Sequence, residues 1–318
     1  MCSSFAFYIK KEGNIICKSE YQSSRKFYFK SIGDGHYSIT AFIKNSSGIR
    51  EALKPRSIFV FKEVESLSCI DTNDVAVEFW LGKWLYNCFL FSAREREYSG
   101  RLFVLLSGAV NRERSQPPVF NRHKWAESEV FPGHAICIAD PSVNSDGKID
   151  LGWYVGDERG GVFDDIIKIV NHYQFLLGVE DKDVVFWGSS GGGFAALNLA
   201  SRKEGSTAVA INAQTNIFKY NIKKSVEKFL SYIDCREKPN CLESSSVFNL
   251  FEQNFSSNKI ILAQNIFDDH HLSSHFYEFS NYLNRARFKS KVYFMFDERG
   301  HVGESIEDAK RIIDMLDL

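Results

Sequence analysis

The sequence predicts an α/β protein: a doubly wound, mostly parallel sheet preceded by a small N-terminal antiparallel β-sandwich-like domain. Three observations carry that reading. Six short apolar runs, separated by helical stretches, follow Arg101 in alternation. The first 65 residues instead hold short strands and turns with no helical period. A chain of 318 residues is also long enough for one large core and a small accessory unit. Residues 1–65 are therefore expected to form the accessory domain and residues 66–318 the α/β domain.

In the first segment, FAFYIKK and IICKSEY flank the turn Glu12-Gly13-Asn14 and read as a hairpin. KFYFKSI, HYSITAFIKN and RSIFVFK continue as strands. Tyr37, Ile39, Ala41 and Ile43 alternate along the middle one, and turns fall at Gly33-Asp34-Gly35 and Asn45-Ser46-Ser47-Gly48. Five or six strands at this spacing suit a small sandwich, with extension of one edge of the main sheet as the alternative. From Leu67 to Arg101 the pattern is transitional.

Beyond it, LFVLLSG, AICIAD, DVVFWGSS, TAVAINA, KIILAQN and KVYFMFD are short, apolar and rich in β-branched residues. Runs of this kind are strands covered on both faces, as in a parallel sheet. Phe163, Ile166, Ile167, Val170 and Phe175 share one helical face between two of them, as do Phe194, Leu197, Leu199 and Ala200. Residues 272–287 and 304–316 have the same helical character, and no internal repeat or low-complexity linker is present.

Composition narrows the function classes. A formal net charge of -1 argues against a nucleic-acid binder, which carries a basic excess. Seven cysteines without a CxxC pair argue against a disulfide framework and a structural zinc site. MCSSFAFYIKKEGN shows no secretory pattern, and no apolar run approaches the ~18 residues of a membrane span. A cytoplasmic setting is the expectation.

In an open parallel sheet, ligands bind past the carboxyl ends of the strands. Those ends are Ser107-Gly108-Ala109, Asp140, residues 188–192, Gln214, Asp268 and His301. The second holder of glycines, Gly188-Ser189-Ser190-Gly191-Gly192, matches G-x-S-x-G, a pattern that arises by chance in roughly one such chain in seven. Its setting is more specific. VVFWG reads as a strand and GGFAALNLA as the start of a helix, so Ser190 sits at a sharp strand-to-helix turn that demands glycines. There its Oγ rises above the sheet, with the Gly191 N–H placed to face an oxyanion. GxxxxGK[ST] is absent, which disfavours a phosphate loop.

These residues resemble the α/β-hydrolase superfamily from about Arg101 to the C-terminus. The resemblance implies the chain order nucleophile, acid, histidine: Ser190, then Asp268 in KIILAQNIFDDHH, then His301 in KVYFMFDERGHVG. Asp269 and Asp297 are the competing acids. The resemblance also implies a second oxyanion donor from the loop after the early strand, the N–H of Ala109 or of Val110. His271 is expected to contact substrate or to support the triad; a metal site built from His270, His271, His275 and the aspartates is disfavoured, because no HExxH arrangement is present.

The same loop carries Arg112, Arg114 and Arg122, which, gathered at the mouth of the site, would suit an anionic substrate. Trp153 and Tyr154 are candidates for a sugar platform. The longer pattern SGAVNR…PVFNRHKW…IADPS…LGWYVG…GSSGGGFAAL…INAQT…QNIFDDHHL…GH resembles bacterial α/β-hydrolase-like proteins associated with surface-polysaccharide synthesis, and polysialic-acid O-acetyltransferases of that fold. It implies an esterase or O-acetyltransferase acting on carbohydrate, with acetyl-CoA as donor if it is a transferase; no CoA-binding segment is recognisable. The alternatives are a peptidase or lipid hydrolase with the same triad, and a non-catalytic binding module. Residues 1–65 are a possible protein or glycan contact.

Overall fold

The computed structural model describes residues 3–45, 47–48, 50–53, 55–93, 100–157, 160–233, 245–251 and 257–317. Near the N-terminus, β1 (Ser4–Lys11), β2 (Asn14–Lys18), β3 (Gly35–Lys44), β4 (Arg50–Ala52) and β5 (Arg56–Val60) form one antiparallel sheet. β1 and β2 meet at the expected hairpin, and β3 lies between β1 and β5. KFYFKSI departs from expectation: residues 26–32 carry no strand ladder. They are held over the sheet by side chains instead, the Tyr37 hydroxyl donating to Ile32 O and accepting from its N–H, and Lys11 Nζ donating to the same carbonyl.

Among the described residues, the larger sheet has nine strands. It contains β6 (Lys62–Glu63), β7 (Ala76–Leu81), β8 (Trp84–Phe91), β9 (Leu102–Leu106), β10 (His134–Ile138), β13 (Val184–Ser189), β14 (Thr207–Ile211), β15 (Lys259–Asn265) and β16 (Lys289–Met295), while β11 (Gly156–Asp157) and β12 (Gly160–Gly161) make a small separate ribbon. The order is β16-β15-β14-β13-β9-β10-β8-β7-β6. From β10 to β16 every neighbour is parallel, in agreement with the six apolar runs. The region expected to be transitional holds the hairpin β7–β8, which extends the sheet antiparallel through β8 and β10. Its two-residue turn, Gly82-Lys83, places Gly82 at φ +59° and is the signal that the sequence reading missed.

Period-two alternation divides the core between the two faces of this sheet. In β9, Leu102, Val104 and Leu106 join one apolar cluster, and Phe103 and Leu105 join the other. Two short helices, α1 (His123–Glu127) and α2 (Pro141–Ser145), precede α3 (Phe163–Leu177) and α4 (Gly191–Ala200); α3 and α4 pack in the first cluster, and the C-terminal helix Ile306–Asp314 packs in the second. The crossovers therefore cover both faces, and every residue of α4 is buried. Such burial leaves the loops at the carboxyl ends of β9, β13, β14, β15 and β16 as the place where polar groups converge.

The N-terminal sheet is tied to this body at specific points. Asp34 accepts from the backbone N–H groups of Val75 and Ala76. Phe59 packs edge-on against Phe89, Phe120 and His123, and His36 Nδ1 lies 2.5 Å from Glu127 Oε1. No helix among the described residues is long and apolar enough to cross a membrane.

Candidate active site

β13 runs directly into α4, and Ser190 is the hinge between them, at φ 56° and ψ -120°. A non-glycine residue rarely adopts that backbone, and the surrounding structure must hold it. It does so through three main-chain bonds: Ser190 N–H donates to Ile211 O, while the Phe194 and Gln214 N–H groups donate to Ser190 O. The turn is so tight that a Cβ on Gly188 would stand 2.1 Å from Gly192 O, and one on Gly192 would stand 2.7 Å from Leu106 O. These approaches explain why the motif needs glycine at both positions.

The other members arrive from later strand ends. Past β15, Asp268 caps the short helix Asp269–His271. Past β16, His301 lies in the loop before the C-terminal helix. Ser190 Oγ is 3.1 Å from His301 Nε2, and His301 Nδ1 is 2.5 Å from Asp268 Oδ2. Asp269 is exposed, and Asp297 is engaged by the Arg299 guanidinium. Burial alone would raise the Asp268 carboxyl, but hydrogen bonds from His271 and His301 outweigh it and hold Asp268 well below the usual carboxylate range. An ionised Asp268 accepts from both Nδ1–H groups, which leaves His301 Nε2 as the acceptor for the Ser190 hydroxyl.

The loop holding His301 is built by two buried asparagines that the sequence reading did not single out. Asn265, ending β15, donates through Nδ2 to Asp297 O and Gly300 O and accepts from Asp297 N–H. Asn212, just past β14, donates to Val302 O and accepts from Asn265 N–H. Both end apolar strand runs, so the strand-end rule could have found them.

Gln214 is also a strand-end residue to which the sequence reading gave no role. It is fully buried, and its Nε2 donates to Ser190 Oγ at 2.9 Å and approaches His271 Nε2 at 3.5 Å. Trp153 Nε1 donates to Gln214 Oε1 at 2.5 Å, which fixes the amide so that its NH2 faces the serine. Trp153 and Tyr154 are thus not a sugar platform: both are wholly buried, with no exposed ring face. Tyr154 instead braces two strand ends, its hydroxyl donating to Ile138 O and accepting from Ser107 N–H.

The arginines also depart from expectation. Arg112 donates to the carbonyls of Val143, Asp146 and Ile149, and so ties down that segment. Arg122 forms a two-pronged pair with Glu304, both contacts at 2.5 Å, with side chains only 6% and 1% exposed. Glu304 also accepts from Trp187 Nε1. These cations are occupied within the protein because their flexible stems fold back onto partners distant in sequence. Arg114 lies exposed, with no role in the site geometry.

Gly191, expected from the sequence to face an oxyanion, opens α4, whose first N–H groups lack intrahelical acceptors. The loop after β9 passes against it: a Cβ on Gly108 would lie 3.6 Å from Ser190 Cβ and 4.0 Å from Gly191 N. Val110 N–H already donates to Asp150 O, which leaves Ala109 as the neighbouring donor. A cleft of about 440 Å³ opens alongside, lined by Arg122, Lys124, Trp125, Ser189, Gly303 and Glu304. Asp268, His271 and His301 each offer one donor atom, all within 4.8 Å of one another. Both oxygens of Asp268 already accept imidazole N–H groups, so the trio forms a hydrogen-bonded network in its own right.

No protein-family model matches the chain, and no curated protein matches it. Solved structures do. The capsule O-acetyltransferase of Neisseria meningitidis serogroup A, also solved with CoA, is 18% identical over 80% of this chain and 100% of its own, with a TM-score of 0.61. The fluorophosphonate-binding serine hydrolase F of Staphylococcus aureus is 14% identical over 76% of this chain and 97% of its own, with a TM-score of 0.53. The glycosylation-associated Gap123 complex of Streptococcus agalactiae is 13% identical over 98% of this chain and 60% of its own, with a TM-score of 0.56. These likenesses establish an α/β-hydrolase-like fold, and the chain resembles the serine esterases and acetyltransferases built on it.

Proposed function

We propose that the chain is a serine acyl-transfer enzyme working through an acyl-Ser190 intermediate, as an esterase or O-acetyltransferase on carbohydrate hydroxyls. The observation that carries this reading is the continuous hydrogen-bonded chain from Ser190 Oγ through His301 to Asp268, with spans of 3.1 and 2.5 Å.

His301 Nε2 takes the Ser190 proton as Oγ bonds to the acyl carbonyl carbon. The N–H groups of Gly191 and Ala109 receive the oxyanion; each such donor is typically worth about 3 kcal/mol of barrier. Collapse breaks the bond to the leaving group, which collects the proton from His301. An acceptor hydroxyl, from water or a sugar, then gives its proton to His301 and attacks the acyl carbon. Ser190 leaves with that proton. Asp268 stays ionised throughout and stabilises the imidazolium.

Acetyl as the acyl group and a glycan hydroxyl as the acceptor are supported by the sequence resemblance to polysaccharide-associated proteins and by the structural likeness to a capsule O-acetyltransferase. Acetyl-CoA is the donor if the reaction is transfer, and hydrolysis needs no cofactor. The test compares acetate release from O-acetylated glycans with acetyl-CoA turnover in the presence of glycan acceptors, using Ser190→Ala as control. Ser190-dependent activity in either format supports the reading. Activity confined to peptides or long-chain lipid esters would reject the carbohydrate assignment.

A further inference from the structure

The N-terminal sheet has two unlike faces. Alternation along its strands turns Phe59 and His36 toward the α/β body, where they pack on Phe89, Phe120 and His123. The opposite face, carrying Ile9, Ile39 and Ile58, points away from those contacts. Residues 25–33 fold over it and leave a groove of about 600 Å³. Phe7, Phe27, Tyr28 and Phe29 line that groove, with Arg25 and Lys26 beside them. Phe7 and Phe27 are stacked 5.5 Å apart, while Tyr28 is 86% exposed and Ile58 47%.

Charge singles out the same region. Residues 1–65 hold 11 Lys and Arg against 6 Asp and Glu, while the rest of the chain holds 28 against 34. The cations here lie over rings: Arg25 over Phe5, Lys11 over Tyr37 and Lys18 over Tyr8. Among the described residues, the Arg25 and Lys26 side chains make no ion pair with a carboxylate.

We infer that this groove binds an anionic polysaccharide, a polymer of sugars bearing carboxylate or phosphodiester groups, and so holds the glycan substrate of the site proposed above. The inference rests on that glycan reading. The C–H faces of sugar rings pack on aromatic side chains, and the acidic groups of the polymer meet Arg25 and Lys26. A concave, ring-lined groove whose flanking cations meet no carboxylate among the described residues suits a chain of rings better than it suits a lipid surface, which asks for projecting apolar side chains. The exposed Tyr28 supplies a ring already available to solvent, and the net positive charge draws a polyanion to this end of the molecule.

The test uses the full-length chain in affinity gels and titration calorimetry with polygalacturonate, its neutral methyl ester, dextran, a phosphodiester-linked sugar polymer, and vesicles of phosphatidylglycerol and phosphatidylcholine. Wild type and Ser190→Ala are expected to bind at least one of the two acidic polymers. Binding should weaken tenfold or more in both Tyr28→Ala and Arg25→Ala/Lys26→Ala, and it should fail on the methyl ester and dextran. Turnover of p-nitrophenyl acetate by the groove variants should stay within twofold of wild type, which also reports that they are folded. Binding neither acidic polymer, equal binding by wild type and the variants, or binding to the vesicles alone would overturn the inference. Loss of p-nitrophenyl acetate turnover in wild type, with groove-dependent polymer binding intact, would instead count against the enzymatic reading.

Discussion

His271 lies flat against His301, with ring centroids 4.0 Å apart and planes 11° from parallel, and both imidazoles donate to Asp268. One carboxylate thus orients two stacked rings. Burial pushes the His271 imidazole below its ordinary value, its bond to Asp268 opposes that shift, and the nearby His301 lowers it further. The net downward shift favours the neutral form of His271. Removing it with His271→Ala is expected to lower kcat by about ten- to hundredfold through a looser His301, with little change in KM. A change in KM alone would assign His271 to substrate contact.

Asp268 and Asp269 are adjacent, yet only Asp268 reaches the histidines. Asp268→Asn should cost on the order of 10⁴ in kcat, because an amide no longer secures the right imidazole tautomer. Asp269→Asn should stay within about twofold, since an exposed acid away from the hydrogen-bonded chain does little. Parallel kinetics on p-nitrophenyl acetate check this, and equal losses would contradict the assignment.

Gln214 donates directly to Ser190 Oγ. Gln214→Ala should lower kcat by roughly tenfold by freeing the Ser190 hydroxyl to rotate. Gln214→Glu should be worse, because an acceptor-only oxygen would then face Ser190 Oγ in a fully buried place. Single-turnover acylation rates read this directly. A Glu variant as fast as wild type would remove Gln214 from the mechanism.

Arg122 and Glu304 are expected to act on stability. Arg122→Ala leaves the Glu304 carboxylate buried and unpaired apart from Trp187, at a cost of about 3–5 kcal/mol in chemical denaturation. An unchanged midpoint with a raised KM would return Arg122 to the substrate-binding role expected from the sequence.

His275 predicts a pH dependence. Its ring is fully buried and pushed down to about 3 by burial and by the neighbouring His271 and His270. The unfolded chain takes up this proton near pH 6.5 and the folded chain does not, so stability is full above that value. It should fall by a few kcal/mol as pH drops from about 6.5 toward 3. In His275→Asn, whose oxygen can still accept from Thr215 N–H, that slope should flatten; an unchanged slope would contradict the assignment.

What could be read from the sequence follows from the range of the interactions involved. The turn around Ser190 is local: strand, glycines and helix are contiguous, so the sequence carries the whole device. Asp268 and His301 are legible because each ends a strand run, and in the structure those ends converge. The β7–β8 hairpin was less visible because Gly82-Lys83 is a weak turn signal between aromatic strands. Arg122 and Trp153 looked like substrate contacts because nothing local marks their partners: Glu304 lies 182 positions from Arg122 and Gln214 lies 61 from Trp153. Side chains that close such long spans are decided by packing, which no short pattern records.

Labelling with a fluorophosphonate probe decides whether Ser190 is a nucleophile activated by His301. The expected result is a stoichiometric adduct mapped by peptide mass to Ser190, no adduct in Ser190→Ala, and labelling of His301→Ala slowed by several orders of magnitude. Absence of labelling in the folded wild-type chain, or equal labelling of wild type and Ser190→Ala, would contradict it.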